Sequence, residues 1–232
     1  MGWGVAQEMS YASRLEELTG RRVLNAGIAS YATPRELALL RRIDRRRLRY
    51  LLFQYSMNDV TENEEYLRCG GRLHTSGATM YNSLVRTTQV ERRYYPGRYV
   101  TYVASAALLK LFQSWVPQAP PLTQAEPTPR FREDEMRALL LVLETEPIDL
   151  SGVDIILFEM NGRGRWRSWV APTLRKLVKE GAGLRHVDRI QIVDVMEQLS
   201  PSDFMALDGH PNSSGHEKIA RKLKEVLQPT LN

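Results

Sequence analysis

The residues best suited to chemistry lie near the C-terminus, in the stretch Asp208-Gly209-His210-Pro211-Asn212. A carboxylate two residues before an imidazole can fix its tautomer and stabilise the cation that forms when the ring takes a proton. We therefore predict that His210 is a general base and that Asp208 orients it. Asp203 and Asp194 are the alternative orienting carboxylates. The simpler alternative is an Asx-type turn before a helix, with His210 exposed and without a catalytic role.

Two earlier stretches could supply hydrogen-bond donors to the same site. Gly27 offers an unhindered backbone N–H at the end of a predicted strand, and Asn58 offers a side-chain amide in the turn Ser56-Met57-Asn58-Asp59. Together they could donate to an oxygen that becomes negative during acyl transfer. Alternatively, Asn58 is a turn residue only and Asp59 caps the segment that follows. His216, in the first turn of the final helix, is predicted to be structural.

Strands and helices alternate around these stretches. Strands are predicted at 21–27, 49–55, 152–160 and 189–195, and helices at 11–18, from Thr33 onward, 133–146, 166–179 and after a cap at Ser213 or Ser214. Gly20 is a helix C-terminal cap, and Thr33-Pro34-Arg35-Glu36 is a strong helix start. The near-continuous apolar run at 153–158 indicates a parallel sheet covered on both faces. The sequence therefore predicts a doubly wound α/β fold with its site at the carboxyl ends of the strands.

The alternation weakens from about residue 61 to 129, which we interpret as an insertion within a single domain of residues 1–232. This insertion contains a predicted helix at 100–116 and a proline-rich tether at 117–129. The stretch from Arg92 to Tyr99 is basic and aromatic. The insertion is therefore a candidate contact for a membrane surface, and the alternative is an accessory helix packed on the domain.

Composition limits the classes of function. A hydrophobic content of 43% and a charged content of 25% are typical of a globular protein with a full core. The single cysteine, Cys69, excludes an internal disulfide and provides no metal-ligand cluster, so we expect no metal. We also expect no cofactor. The net charge of +5 and the arginine-rich run 41–47 raise nucleic acid as a partner. We expect no nucleic acid, because the run is better explained as a solvated helix end.

In order along the chain, Asn25-Ala26-Gly27, Ser56-Met57-Asn58-Asp59 and Asp208-Gly209-His210-Pro211-Asn212 resemble the glycine, asparagine and histidine blocks of the SGNH (GDSL-type) hydrolases. The resemblance implies a three-layer flavodoxin-like sheet and a serine ester hydrolase that works through an acyl-enzyme. It also implies an oxyanion hole at Gly27 and Asn58 and a small-molecule, carbohydrate or lipid acyl ester as substrate. Two positions depart from the usual pattern: Ser56 replaces a glycine, and Leu207 stands where aspartate precedes histidine by three residues.

The family's nucleophilic serine belongs to a Gly-Asp-Ser block that this sequence does not contain. By resemblance, that serine would lie just upstream of Met1. Ser10, Ser13 and Ser30 are the nearest hydroxyls, but none has the strand-to-helix elbow that the role requires, and helix caps and surface hydroxyls explain them better. The alternative is a non-catalytic SGNH-like binding or scaffolding protein.

The missing block leads to a prediction about stability. The implied strand order places the first strand between residues 23–25 and 51–55, so its absence leaves backbone groups unpaired in the middle of a sheet. We expect residues 1–232 to be poorly stable or aggregation-prone and inactive, and an added strand ending in Gly-Asp-Ser to restore both properties. Urea unfolding and hydrolysis of a chromogenic acetyl ester measure this. Cooperative folding together with hydrolysis by residues 1–232 would contradict it.

Overall fold

The computed structural model describes residues 4–56, 59–74, 77–91, 97, 100, 103–104, 107–108, 128–145, 148–160, 169–181, 187–205 and 209–227. The chain divides into two compact units, one made of Met1–Leu73 and Pro129–Asn232 and the other of His74–Thr128. No helix within the described ranges is both long enough and apolar enough to cross a membrane.

The first unit is built on a parallel sheet of β1 (Tyr50–Tyr55), β2 (Asp154–Glu159) and β3 (Ile190–Val193) in the order β1-β2-β3. Leu52 is opposite Ile156 in the register, and Phe158 is opposite Val193. β2 is the central strand, and its last five residues are buried. Among the described residues, β1 pairs with β2 alone. The α/β class and the parallel sheet are therefore confirmed.

Helices surround this sheet. Those of the first unit are α1 (Tyr11–Thr19), α2 (Thr33–Leu40), α3 (Val60–Arg68), α5 (Pro129–Thr145), α6 (Val170–Lys179) and α7 (Ser213–Leu227), and α4 (Ala78–Glu91) belongs to the second unit. Short 3-10 helices cover Gln7–Met9, Val187–Arg189, Met196–Gln198 and Pro201–Asp203.

The two faces of the sheet carry separate apolar cores, because successive side chains of a strand point to opposite faces. On one face, Ile156 and Phe158 of β2 pack with the inner sides of α1 and α7, through residues that include Leu15, Ile219, Ala220 and Leu223. On the other face, Ile155 and Leu157 pack with α2, α5 and α6, through residues that include Leu37, Met136, Leu139 and Leu174. The result is a layer of helices on each side of the sheet, as the apolar run of β2 predicts.

Most element predictions in this unit are confirmed, with shifts at the ends. α1 ends at Thr19, and its C-cap Gly20 has φ 64° and donates its N–H to the carbonyl of Glu16. α2 begins at Thr33 itself, so Ala32 rather than Thr33 is its N-cap. The described part of the helix predicted at 166–179 begins at Val170. Of the helix predicted at 100–116, only residues 100, 103–104 and 107–108 are described, and residues 117–127 of the tether lie outside the described ranges.

The strand predicted at 21–27 is wrong, because this segment has no regular secondary structure. The backbone N–H of Val23 donates to Glu16 Oε2 at 2.7 Å, and the N–H of Gly27 donates to Asn25 Oδ1 at 3.3 Å. A strand requires a neighbouring strand to pair with, and none of the described strands lies beside these residues. Side-chain oxygens take the place of ladder carbonyls here.

The arginine-rich run after α2 is a solvated helix end, as predicted. Arg45 Nη1 donates to the carbonyl of Leu40 at 3.2 Å, and Arg46 forms an exposed ion pair with Asp44 at 2.7 Å. A cation at the last carbonyls of a helix complements the negative end of its dipole.

Candidate active site

Asp203 organises the segment that leads from β3 to α7. Its carboxylate is 2% exposed and accepts bonds from the N–H and Oγ of Ser200 at 2.8 and 2.7 Å. It also accepts from Ser214 Oγ at 2.7 Å and from Lys218 Nζ at 2.7 Å. One buried side chain thus joins the residues before the histidine loop, which we define as residues 205–210, to the first turns of α7.

These bonds decide the charge of the group. Burial alone would raise the pKa of Asp203, but the hydrogen bonds from Lys218, Ser200 and Ser214 outweigh it and hold the pKa below its ordinary value. Asp203 therefore stays ionised at neutral pH. Because the folded-state pKa is lowered, this contribution to stability is present above the ordinary carboxyl range and lost as the pH falls. A role as the alternative partner of His210 would compete with these four bonds.

Backbone bonds close the loop that carries His210. The N–H of Met205 donates to the carbonyl of His210 at 2.9 Å, and the N–H of Asn212 donates to the carbonyl of Asp203 at 2.8 Å. His210 follows directly at the base of this closed loop and is exposed. Asp208, its predicted partner, is outside the described residues.

Asn212 caps α7 and ties it to the same loop. Its Oδ1 accepts from the N–H of Gly215 at 3.2 Å, while its Nδ2 donates to the carbonyls of Ser202 at 2.7 Å and Phe204 at 3.3 Å. The cap is therefore Asn212 and not Ser213 or Ser214, since the side-chain amide can serve both sides of the turn.

His216 in the first turn of α7 is buried, which agrees with its predicted structural role. Its Nδ1 accepts from the backbone N–H of Tyr11 at 3.2 Å, and the two rings stack with centroids 5.8 Å apart. Burial lowers the pKa of His216 to about 4, so the imidazole is neutral at pH 7 with its proton on Nε2. This Nε2 is buried and has no hydrogen-bond partner among the described residues.

Tyr11 connects the start of α7 to the carboxyl end of β1. Its hydroxyl donates to Gln54 Oε1 at 3.1 Å, and its ring meets Phe158 edge to face, with centroids 5.7 Å apart. The chain that follows His210 therefore approaches the end of β1 through one bridging tyrosine. Parallel strands place their carboxyl ends at one edge of a sheet, the edge where α/β proteins bind ligands.

The turn that carries Asn58 is closed by Asp59. Asp59 Oδ2 accepts from the N–H of Ser56 at 3.0 Å, and the N–H of Asp59 donates to the carbonyl of Ser56 at 2.9 Å. Asp59 occupies the N-cap position of α3 without a side-chain capping bond. Its carboxylate thus holds the turn and does not cap the helix. Met57 and Asn58 lie outside the described residues.

Gly27 is exposed, and its N–H already donates to Asn25 Oδ1 at 3.3 Å. An oxyanion at this position would have to displace the Asn25 oxygen, which is a long and easily exchanged contact. Of the four predicted site residues, the structure describes Gly27 and His210.

The serines near the N-terminus have structural roles. Ser10 is buried and is the N-cap of α1, accepting from the N–H of Ser13, and Ser13 Oγ donates to the carbonyl of Gln7 at 2.8 Å. Ser30 lies in an exposed turn at φ 63°. The capping role predicted for Ser10 is confirmed.

Several acidic side chains around the carboxyl end of β1 were not predicted as site residues. The hydroxyl of Tyr55 donates to buried Glu135 of α5, and burial raises the pKa of Glu135 to about 7. Burial also raises the pKa of Asp59 to about 7. The pKa of Glu36 rises to about 8, through burial and then through the charge of Asp59. A glutamate on the apolar face of α5, next to Met136, was the one available signal in the sequence.

The raised pKa values keep these carboxyls partly protonated near neutral pH. No group of three or more His, Cys, Asp or Glu residues within the described ranges is arranged to hold a metal ion. Because their folded-state pKa values are raised, their contribution to stability is complete at low pH and is lost as the pH rises through about 7 to 8.

Comparison of the chain with protein-family models, curated proteins and solved structures finds no match in any of the three.

The close approach at Gly215 tests whether α7 and the histidine loop are tightly packed. A Cβ on Gly215 would collide with the carbonyl oxygen of Asp203 and lie 2.9 Å from Cβ of Pro211. We expect Gly215→Ala to lower the free energy of unfolding by about 2 kcal/mol, although alanine is the better helix former. Gly77→Ala, where a Cβ meets nothing within 4 Å, is the control. Urea unfolding of both variants measures the difference, and an unchanged or more stable Gly215→Ala would contradict it.

The lowered pKa of His216 gives a second prediction. The unfolded imidazole binds a proton near its ordinary pKa of 6.5, but the folded one does so only near pH 4. Stability from this group is therefore present above pH 6.5 and falls by about 3 kcal/mol as the pH drops to 4. We expect His216→Phe to lack this loss and His210→Gln to retain it, in urea unfolding at pH 7 and pH 4. Equal pH dependence of His216→Phe and the wild type would contradict the prediction.

Proposed function

We propose that this chain carries the acid–base and oxyanion parts of a serine ester hydrolase of the SGNH type. In this proposal His210 removes the proton from a serine hydroxyl as the hydroxyl attacks the ester carbonyl, and it later returns the proton to the leaving alcohol. Asp208 orients the imidazole and stabilises its cation. In the second half of the reaction, His210 removes a proton from water as the water attacks the acyl-enzyme, and it returns the proton to the serine oxygen as the acid leaves.

The observation that supports the proposal best is the contact from the start of α7 to the end of β1 through Tyr11. Tyr11 stacks on His216 and donates to Gln54, so one tyrosine connects the first turns of α7, which follow His210, to the end of β1. The turn after β1 carries Asn58, whose amide the proposal uses as an oxyanion donor. The blocks are more than 150 residues apart in the sequence, and a shared sheet edge is what a joint site requires.

The bracing of the histidine loop also supports a catalytic use. Asp203 and Asn212 fix the backbone on both sides of the loop with side-chain bonds, while His210 itself remains exposed. A general base must be held in position and must still reach its substrate. Gly27 is the second oxyanion donor in the proposal, once its N–H exchanges Asn25 Oδ1 for the substrate oxygen.

The nucleophile is not assigned to any serine of the sequence as given. Ser10 and Ser13 are occupied in capping the start of α1, and the resemblance to SGNH hydrolases assigns the role to the serine of a Gly-Asp-Ser block. The substrate class remains an acyl ester of a small molecule, a carbohydrate or a lipid.

The test adds a Gly-Asp-Ser block to the chain and then replaces the proposed base, His210. The chain is extended upstream of Met1 by a strand ending in Gly-Asp-Ser, and hydrolysis of 4-nitrophenyl acetate is measured. We expect His210→Ala in this extended chain to lower kcat by about a thousandfold or more, since a nucleophile without its base is nearly inert. His74→Ala, at an exposed histidine of the other unit, should leave kcat unchanged.

A control extension ending in Gly-Asp-Ala lacks the serine hydroxyl and should be inactive. Its rate measures the hydrolysis that does not depend on the added serine. Equal rates for the extended chain and its His210→Ala variant would contradict the role of His210. If the extended chain folds cooperatively but its added serine does not displace fluoride from a fluorophosphonate probe to become phosphonylated, the chain is instead a non-catalytic binding protein of the same fold.

A further inference from the structure

β1 is an edge strand of the sheet, and one side of its backbone is open. The N–H of Asp154 in β2 donates to the carbonyl of Arg49 at 2.9 Å, and successive residues of a strand bond alternately to its two sides. Tyr50, Leu52 and Gln54 therefore direct their N–H and C=O groups away from β2. Within the described ranges, no ladder or loop bond uses the backbone of these three residues.

The side chains of β1 agree with this edge position. Tyr50, Leu51, Leu52 and Gln54 are half-buried, whereas the last five residues of β2 are buried. Residues 21–27, which were predicted as a further strand, form no ladder with β1. An open strand edge presents a row of hydrogen-bonding groups, and the partner that matches all of them at once is another extended backbone.

β1 lacks the features by which edge strands usually avoid such pairing. Charged residues, prolines and bulges are the common means. The strand Tyr50-Leu51-Leu52-Phe53-Gln54-Tyr55 contains no charge, proline or glycine, and all of it pairs with β2 in continuous register. Short uncharged segments of aromatic and apolar residues pair readily with a copy of themselves. The open edge is therefore well suited to the same strand of a second chain.

One closed arrangement joins two copies at this edge. Two identical strands related by a two-fold axis perpendicular to the sheet run antiparallel. With the axis at Leu52, its N–H and C=O bond to those of Leu52 in the second copy, and Tyr50 stands opposite Gln54. All three outward residues then have partners. The two three-stranded sheets become one continuous sheet with β3 at each end, so that no β1 edge remains open.

The charges at the two ends of β1 favour this antiparallel arrangement. Arg47 and Arg49, just before the strand, are exposed, and neither is in an ion pair in the part of the chain that the structure describes. Acidic side chains gather at the other end, where burial and then the charge of Asp59 raise the pKa of Glu36 to about 8. Antiparallel pairing brings the arginines of each copy towards the acidic end of the other, whereas parallel pairing would bring like charges together.

We propose that the open edge of β1 is a self-association surface, at which two copies of this chain pair antiparallel into one continuous sheet. This inference uses none of the residues of the histidine loop. The strand ending in Gly-Asp-Ser that the SGNH resemblance implies would occupy the same edge, so the two occupants exclude each other. The two proposals are tested separately, because association of residues 1–232 tests the dimer and hydrolysis by the extended chain tests the hydrolase.

Light scattering coupled to gel filtration measures the association of residues 1–232. At micromolar concentration we expect a mass of about twice the 26.6 kDa of one chain. Arg49→Glu should raise the Kd of the dimer about tenfold, because it places a carboxylate near the acidic end of the second copy. Lys179→Glu is the matched control, since it makes the same charge change at an exposed position of α6, which packs beside β3. It should leave the Kd unchanged.

Cysteine cross-linking tests the register. In a Cys69→Ser background, Leu52→Cys places the thiols of two copies opposite each other at the axis, with Cα atoms about 5.5 Å apart, which a disulfide can bridge. We expect a covalent dimer on oxidation with copper phenanthroline. Gln191→Cys in the same background is the matched control, because Gln191 is exposed on β3, the other edge strand. It should remain uncrosslinked, and circular dichroism verifies that both variants fold.

Several results would overturn the proposal. One is a monomeric chain throughout the micromolar range, and another is equal weakening of the dimer by Arg49→Glu and Lys179→Glu. Equal cross-linking of Leu52→Cys and Gln191→Cys would show that the thiols react by random collision. A dimer in which the folded Leu52→Cys variant forms no cross-link would assign the association to another surface of the chain.

Discussion

The buried carboxylate of Asp203 is the interaction on which the C-terminal part of the chain depends. A buried charge is unfavourable unless it is paired and hydrogen-bonded, and Asp203 meets that condition with the N–H and hydroxyl of Ser200, the hydroxyl of Ser214 and the ammonium of Lys218. These partners come from both sides of the histidine loop. The loop therefore cannot move far without breaking bonds to a buried charge.

The rest of the site is arranged from this anchor outward. Asn212 caps α7 and binds carbonyls before the loop, and α7 in turn brings His216 against Tyr11. Tyr11 reaches Gln54 of β1, and β1 leads into the turn closed by Asp59. A series of side-chain contacts thus extends from the histidine loop to the turn between Ser56 and Asp59. Each contact is short-range, but together they join segments that are far apart in the sequence.

Much of the first unit could be predicted from local patterns. The apolar run of β2 and the left-handed Gly20 after α1 are decided by residues close together in the sequence, and the structure confirms both. The resemblance of three short blocks to SGNH hydrolases predicted a functional role for the loop that Asp203 holds in place. It did not predict the role of Asp203, because the hydrogen bonds that Lys218 and Ser214 donate to this carboxylate form only in the folded chain.

The features that the sequence predicted wrongly or did not predict have a common physical cause, which is their dependence on contacts between distant residues. The segment 21–27 has the residues of a strand, but a strand forms only beside a partner, and the N–H groups of Val23 and Gly27 bind side-chain oxygens instead. Similarly, the pairing of Tyr55 with Glu135 joins residues 80 positions apart, and no local pattern encodes it. The cap at Asn212 was not predicted, because its amide binds carbonyls before the loop as well as the N–H of Gly215. These partners come together only when the loop is closed.

Amide hydrogen exchange in the wild type and in Asp203→Ala tests the central claim, that Asp203 holds the histidine loop. The N–H groups of Met205 and Asn212 donate across the base of this loop, and their protection reports its closure. We predict that Asp203→Ala strongly reduces the protection of both amides, while Ile156 and Leu157 in β2 stay protected. Unchanged protection of Met205 and Asn212 in the variant would contradict the account.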